Sequence, residues 1–255
     1  MTRRVIVLLA LIGAFAGPAS ADEPGPQSQF QAANEAYRSG RFAEAAEGYR
    51  RLAQSGLTNP ALFYNLGNAL LKSGQPGEAL WAYREAAASS PRDPDIRANL
   101  EYTRSLLGDA DAVSIRPPVW ARWATGGGRW STRELASAWI ISLWITAMLW
   151  IARRWVRGGE ALRRWCWAAI ALAVIAGIAV IVQTVFVDRV PTAVVIAPSA
   201  DARFAPQPSA TTHFTLPQGA VVRVLEDEPG WAQIRRLDGR AGWVTESSIR
   251  RLQTR

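Results

Sequence analysis

The chain has 255 residues, 29 Lys+Arg against 21 Asp+Glu, a formal charge of +8, 12 Trp, one His and one Cys. One cysteine excludes an intramolecular disulfide or a cysteine-built cluster, and one histidine excludes a zinc site assembled from several imidazoles. The basic excess suggests nucleic acid, but residues 22–111 carry 9 Lys+Arg against 12 Asp+Glu, so the excess lies elsewhere and nucleic acid is not an expected partner.

Residues 1–21 read as a secretory signal. Arg3 and Arg4 precede an apolar core over residues 5–16, and Ala19-Ser20-Ala21 is a small-residue cleavage motif. An uncleaved anchor is the alternative, and either version exports the next segment. After a Pro/Gly-rich lead-in, an internal repeat begins. Pro26, Pro60 and Pro94 are 34 residues apart. The same interval separates Asn34 from Asn68, Gly40 from Gly74, Glu44 from Glu78, Ala45 from Ala79 and Tyr49 from Tyr83. With Tyr64-Asn65-Leu66-Gly67-Asn68-Ala69-Leu70, Gly74, Glu78-Ala79-Leu80, Tyr83, Ala86 and Pro91, the second copy resembles the tetratricopeptide repeat family.

The pattern has a physical basis. Gly40 and Gly74 end the first helix of each pair, where a left-handed residue costs least. Gly67, Ala45 and Ala79 permit close helix approach, and Tyr49 and Tyr83 fill the space between pairs. Residues 96–107 form a last helix without a partner, a cap over the apolar end of the stack. Two repeats and a cap are marginal alone, so reliance on a partner or on self-association is expected. The resemblance implies a protein-binding groove lined by the first helices: Phe30, Asn34, Tyr37, Arg38, Tyr64, Asn65, Asn68, Lys72 and Asn99. The Asn residues read either as ligand contacts or as packing struts. For Tyr64, packing is the better reading. Phe30 stands where chaperone-type members carry a carboxylate-clamping Lys, which speaks against a C-terminal carboxylate ligand.

Residues 109–133 form a linker. Pro117-Pro118 and Gly126-Gly127-Gly128 forbid one continuous helix. Trp120, Trp123 and Trp130, with Arg116, Arg122, Arg129 and Arg133, suit a segment lying on lipid headgroups, with a plain tether as the alternative. Residues 134–188 read as a two-helix membrane hairpin whose apolar runs are 135–152 and 166–187. The turn at 153–164 holds five Arg and one Glu, which places it in the cytoplasm by the positive-inside rule. Ala169, Ala173 and Gly177 are spaced for helix contact. Ser142 and Thr146 are the first helix's candidate hydrogen-bonding partners. Neither run contains a charge, so the hairpin is read as an anchor. Cys166 reads as a small apolar residue at a helix end.

Residues 189–255 change character. Residues 190–197 and 220–226 are rich in β-branched side chains. Residues 231–237 follow the Pro229-Gly230 turn, and Asp238-Gly239 signals a hairpin into residues 241–244. The order Leu216-Pro217-Gln218-Gly219-Ala220-Val221-Val222, Gly230-Trp231-Ala232-Gln233-Ile234, Asp238-Gly239-Arg240-Ala241-Gly242-Trp243-Val244 resembles the bacterial SH3 domain. That resemblance implies binding of cell-wall peptides or protein segments. Arg203, with Pro206, fits the family's early loop. Trp231 and Trp243 read either as ligand platforms or as core or half-buried strand residues, and His213 as a solvated loop residue.

The fold class expected is therefore multidomain: an all-α tetratricopeptide domain (22–108), a two-helix transmembrane hairpin, and a small all-β SH3-like barrel. No nucleophile motif, P-loop or ligand cluster is present. No enzyme activity, cofactor or metal is expected. The order of parts is similar to the E component of the Bacteroides aerotolerance (Bat) operon family. That resemblance implies an inner-membrane scaffold with extracytoplasmic domains, von Willebrand factor A-domain membrane proteins as partners and, indirectly, a MoxR-type ATPase. The alternative is a peptidoglycan-binding module tethering membrane to wall.

Overall fold

A computed structural model describes residues 25–108, 114, 119, 130–155, 160–188 and 191–253. The export signal, most of the linker and Arg157 of the basic turn lie outside the described residues. Among those described there are seven α-helices and one seven-stranded antiparallel sheet, in the multidomain arrangement expected.

The repeats comprise α1 (Pro26–Arg38), α2 (Phe42–Gln54), α3 (Pro60–Lys72), α4 (Pro76–Ser89) and α5 (Pro94–Leu107). Proline in the first turn of four of them has the φ a helix start needs and no amide to waste. Asn59 caps α3 by accepting from Ala61 N, and Asp93 caps α5 by accepting from Asp95 N and Ile96 N. Gly40 and Gly74 adopt φ of 76° and 78° at the turns. Tyr49, Phe63, Leu66, Leu70 and Tyr83 are fully buried. A Cβ on Gly67 would stand 2.6 Å from the Tyr83 ring, which is why that position carries none.

Two long helices come next, α6 (Thr132–Trp155, 24 residues) and α7 (Glu160–Val182, 23 residues). At about 1.5 Å per residue they measure about 36 and 35 Å, enough for a hydrocarbon core of about 30 Å. Both are apolar enough to cross a membrane. They touch along Ser142 on α6 and Cys166, Ala173 and Gly177 on α7, all buried, with Trp139 packed over Gly177. Ser142 and Thr146 do not bond across the pair. Their hydroxyls donate to Trp139 O and Ser142 O one turn back on their own helix. Large apolar side chains such as Trp144, Met148, Ile151 and Ile175 point outward. A π-helical turn, Gln183–Asp188, ends α7. At the same end of the pair, Arg92 between α4 and α5 pairs with Glu134 and lies 4.7 Å over Trp130.

The barrel has strands β1 (Thr192–Val195), β2 (Ser199–Arg203), β3 (Thr212–Pro217), β4 (Val221–Glu228), β5 (Trp231–Arg235), β6 (Ala241–Thr245) and β7 (Ile249–Arg251), ordered β3-β2-β6-β5-β4-β1-β7. Strands β1, β4, β5 and β6 fall on segments expected from the sequence, whereas β2, β3 and β7 do not. Ser199-Ala200-Asp201-Ala202-Arg203 lacks β-branched residues, and only its alternating burial in the fold reveals a strand. Ala193, Val195, Leu216, Val222, Val224, Ile234 and Val244 form the barrel core.

The barrel packs on the repeats. Val194 of β1, Val221 of β4 and Leu252 belong to the repeat core rather than to the barrel's own. Strand β1 is therefore buried on both faces, with Ala193 and Val195 turned inward and Val194 turned toward α4. Leu80 on α4 and Leu107 on α5 press against Gly219, whose φ of 83° favours glycine and where an added Cβ would stand 2.6 Å from Leu107 Cδ1.

Candidate binding surfaces

The repeat groove is built on a ladder of asparagines. Asn34 Oδ1 accepts from Tyr49 OH at 2.7 Å and from Asn65 Nδ2 at 3.3 Å. One period later Asn68 Oδ1 accepts from Tyr83 OH at 2.7 Å and from Asn99 Nδ2 at 2.9 Å. Asn99 Nδ2 also donates to Tyr64 OH at 3.2 Å. Each oxygen thus ties a first helix to its own second helix and to the next first helix. The ladder is a packing device, and it consumes the acceptors that an extended ligand backbone would otherwise meet. The Nδ2 groups of Asn34 and Asn68 donate to nothing among the described residues, so the face they offer a ligand is a donor face.

Between these struts lies a hollow of about 180 Å³ lined by Asn34, Tyr37, Arg38, Tyr49, Asn65 and Asn68. Arg38 is exposed at its rim, 3.2 Å from Glu35. Lys72 is exposed at the end of α3. Phe30 packs on Tyr49 with centroids 5.7 Å apart, and Tyr64 on Tyr83 at 6.1 Å, so both aromatics wall the groove. Burial strips solvent from the phenols of Tyr37, Tyr49 and Tyr83, and neighbouring tyrosines add to it. All three pKa values are raised, Tyr83 the most. The hydroxyls therefore stay neutral, and those of Tyr49 and Tyr83 act as donors.

On the barrel, Trp231 and Trp243 alternate along their strands with buried Ala232, Ile234, Gly242 and Val244. They project from the outer face, half-buried. Trp231 stands opposite Thr245 and Glu228, and Trp243 opposite Gln233 and Arg203. The two indoles are diagonal neighbours, a separation of about 7–8 Å in an antiparallel pair. Arg203 turns away from them. Its Nη1 donates to Pro208 O at 2.8 Å and Ala210 O at 2.7 Å, closing its own loop. That loop presents Phe204, exposed and stacked 4.3 Å from His213. His213 is solvent-facing as expected but sits on β3, with Nδ1 3.2 Å from Ala241 O.

A further surface, not among those expected from the sequence, joins the two domains. Trp81 Nε1 on α4 donates to Arg251 O at 2.8 Å, and Arg250 lies 5.6 Å over the same indole. Glu85, fully buried, accepts from Gln253 N at 2.6 Å. Glu78 receives Arg50 of the first repeat at 2.8 Å and Arg250 of the barrel at 3.7 Å, so one carboxylate bridges three elements. Val221 N donates to Ser114 Oγ at 2.9 Å. These contacts come from α4, the end of α5 and Ser114, and leave the residues of the groove and both barrel tryptophans outside the junction.

No curated protein matches the chain as a whole. Residues 198–250, from the residue before β2 into β7, match the family model of the bacterial SH3 domain, so the C-terminal barrel is a bacterial SH3 domain.

Proposed function

We propose that the protein is a non-catalytic, membrane-anchored scaffold that binds protein partners on the extracytoplasmic face through its helical repeats and its SH3 domain. The observation that carries this reading is the docking of the barrel on α4. It makes the two domains one body with a groove and a tryptophan face left open. Such a body holds two segments in fixed relation, which a flexible tether does not. By resemblance, the complex served is of the aerotolerance type, with von Willebrand factor A-domain membrane proteins as direct partners and a MoxR-type ATPase reached through them. The basic turn supports a cytoplasmic turn and periplasmic domains. Affinity purification from solubilised membranes is expected to recover von Willebrand-type membrane proteins, and Asn65→Ala with Lys72→Glu to reduce the yield. A monodisperse, partnerless protein counts against the reading. Reagents that modify cysteines placed in the basic turn from outside intact spheroplasts would overturn the topology.

The outward-facing Trp231 and Trp243 favour a second reading, in which the SH3 domain holds peptidoglycan and tethers membrane to wall. Purified peptidoglycan is then expected to retain the full chain and to release the Trp231→Ala, Trp243→Ala double variant. No retention of the unaltered chain sinks it.

A further inference from the structure

At the turn end of the hairpin α6 and α7 carry an open cleft of about 790 Å³ lined by Trp150, Arg153, Glu160, Arg163, Arg164 and Trp167. We propose that this cleft binds the phosphate headgroup of an anionic phospholipid, a site that rests on α6 and α7 crossing the bilayer. Three guanidinium groups meet one carboxylate there. Glu160 is taken by Arg163 at 2.7 Å. Arg153 and Arg164 have no carboxylate partner among the described residues, and planar guanidinium is the side chain best suited to a phosphodiester. Arg153 lies 5.5 Å over the Trp150 ring, which fixes its position and occupies the aromatic face a choline group would need.

The depth of the cleft selects a lipid over a soluble phosphate. Both indoles stand at the ends of apolar spans, where amphipathic rings sit at headgroup level. Exposed Ile151 on α6 and exposed Trp155 and Trp165 flank the basic groups. Acyl chains attached to the phosphate have apolar surface to lie on, and inorganic phosphate does not. A volume of about 790 Å³ also suits a headgroup rather than a bare ion.

The test uses the full chain in neutral maltoside micelles, mixed with phosphatidylglycerol or with phosphatidylcholine of the same acyl chains, the retained lipid being read by native mass spectrometry. Phosphatidylglycerol is expected to be retained in preference. Each basic charge lost should weaken it about fivefold, and Arg153→Gln with Arg164→Gln together about thirtyfold. Arg235→Gln with Arg240→Gln removes equal charge from the barrel and should change nothing. Equal retention of both lipids, or undiminished retention by the Arg153→Gln, Arg164→Gln variant, overturns the proposal. Displacement of the lipid by inorganic phosphate overturns the lipid source in favour of a soluble phosphate. Alkaline carbonate extraction of membranes separates the two layers of the reasoning. A chain released by carbonate refutes the membrane reading itself, and a carbonate-resistant chain without lipid preference refutes only the cleft.

Discussion

Replacing Gly77 by alanine has opposite consequences for a docked and an undocked barrel. Gly77 occupies the second position of α4 and is buried. In a free helix, Gly→Ala stabilises by about 0.5–1 kcal/mol, because glycine gives up more backbone freedom on folding. In the docked protein the new methyl would lie 2.8 Å from Gln218 Cγ and 2.9 Å from Ile196 O. Side-chain motion relieves the first clash. The second involves backbone held by its neighbours, since Ile196 O also accepts from Gln218 Nε2 at 2.8 Å. Overpacking of this kind costs about 1–3 kcal/mol. The helix gain is present whether the barrel is docked or not, so the junction itself loses about 1–3 kcal/mol, a factor of roughly 5–160 in its opening equilibrium. Hydrogen–deuterium exchange reads this directly. The amides of Gln253, bonded to Glu85, and Val221, bonded to Ser114, report the junction. Their exchange should accelerate by that factor, while Ala232 N inside the barrel should not change. A Gly77→Ala protein that melts higher, with unaltered exchange at Gln253, refutes the docked arrangement.

Three other outcomes are expected. Asn68→Ala leaves the buried Tyr83 hydroxyl without its acceptor and should cost about 1–3 kcal/mol in denaturant unfolding; in a Tyr83→Phe background the same change should cost measurably less, and an unchanged cost shows that the ladder does not couple them. Arg251 makes a two-pronged bond to Asp227 at 2.9 and 2.5 Å and holds that carboxyl below its ordinary pKa. The contribution is therefore present above the ordinary carboxylate value of about 4 and lost as pH falls through the depressed one; because both groups are substantially exposed it amounts to less than about 1 kcal/mol. Asp227→Asn should thus lower the unfolding midpoint at neutral pH and converge with the unaltered protein in acid, and a deficit independent of pH contradicts the assignment. Ending the chain after residue 188 uncovers Trp81, Leu80 and Glu85, so limited proteolysis should cut α4 and α5 faster; an unchanged pattern means that the repeats stand alone.

The helical repeats are legible in the sequence because a 34-residue period fixes proline starts, glycine turns and tyrosine fillers together. The role of the asparagines is less so. Residue type leaves ligand and strut open, yet the pairing is written in the spacing: a tyrosine lies 15 residues after Asn34 and after Asn68, and an asparagine 31 residues after each. The docking of the domains also has a signal. Helix α2 is amphipathic, whereas α4 carries Leu80, Trp81, Ala82 and Tyr83 around its whole circumference, all buried. A helix apolar on every side has more than one covering layer. The uninterrupted apolar run of β1 says the same of a strand. Helix ends are harder to read. The basic turn looks like a loop, but arginine is a good helix former, so α6 runs to Trp155 and α7 starts at Glu160. Four of the turn's five arginines thus stand on helix ends, which is what shapes the cleft.

The junction between the domains also bears on the number of membrane crossings. Leu107, the last residue of α5, touches Gly219 of the barrel, so the chain leaves the repeats and returns to the same neighbourhood after the hairpin. A bilayer separates its two faces by about 30 Å of hydrocarbon. Domains that share Val194, Val221 and Leu252 in one core must lie on one face, which requires an even number of crossings between them. Crossing by both α6 and α7, as proposed, supplies two. The contact bears on the parity of crossings, whereas the charge rule assigns only which face the turn occupies. Under the proposed topology, the arginine cleft lies on the leaflet opposite the repeats and the barrel. The start of α6 is also held to the repeats, with Arg92 paired to Glu134 and lying over Trp130 just ahead of the helix.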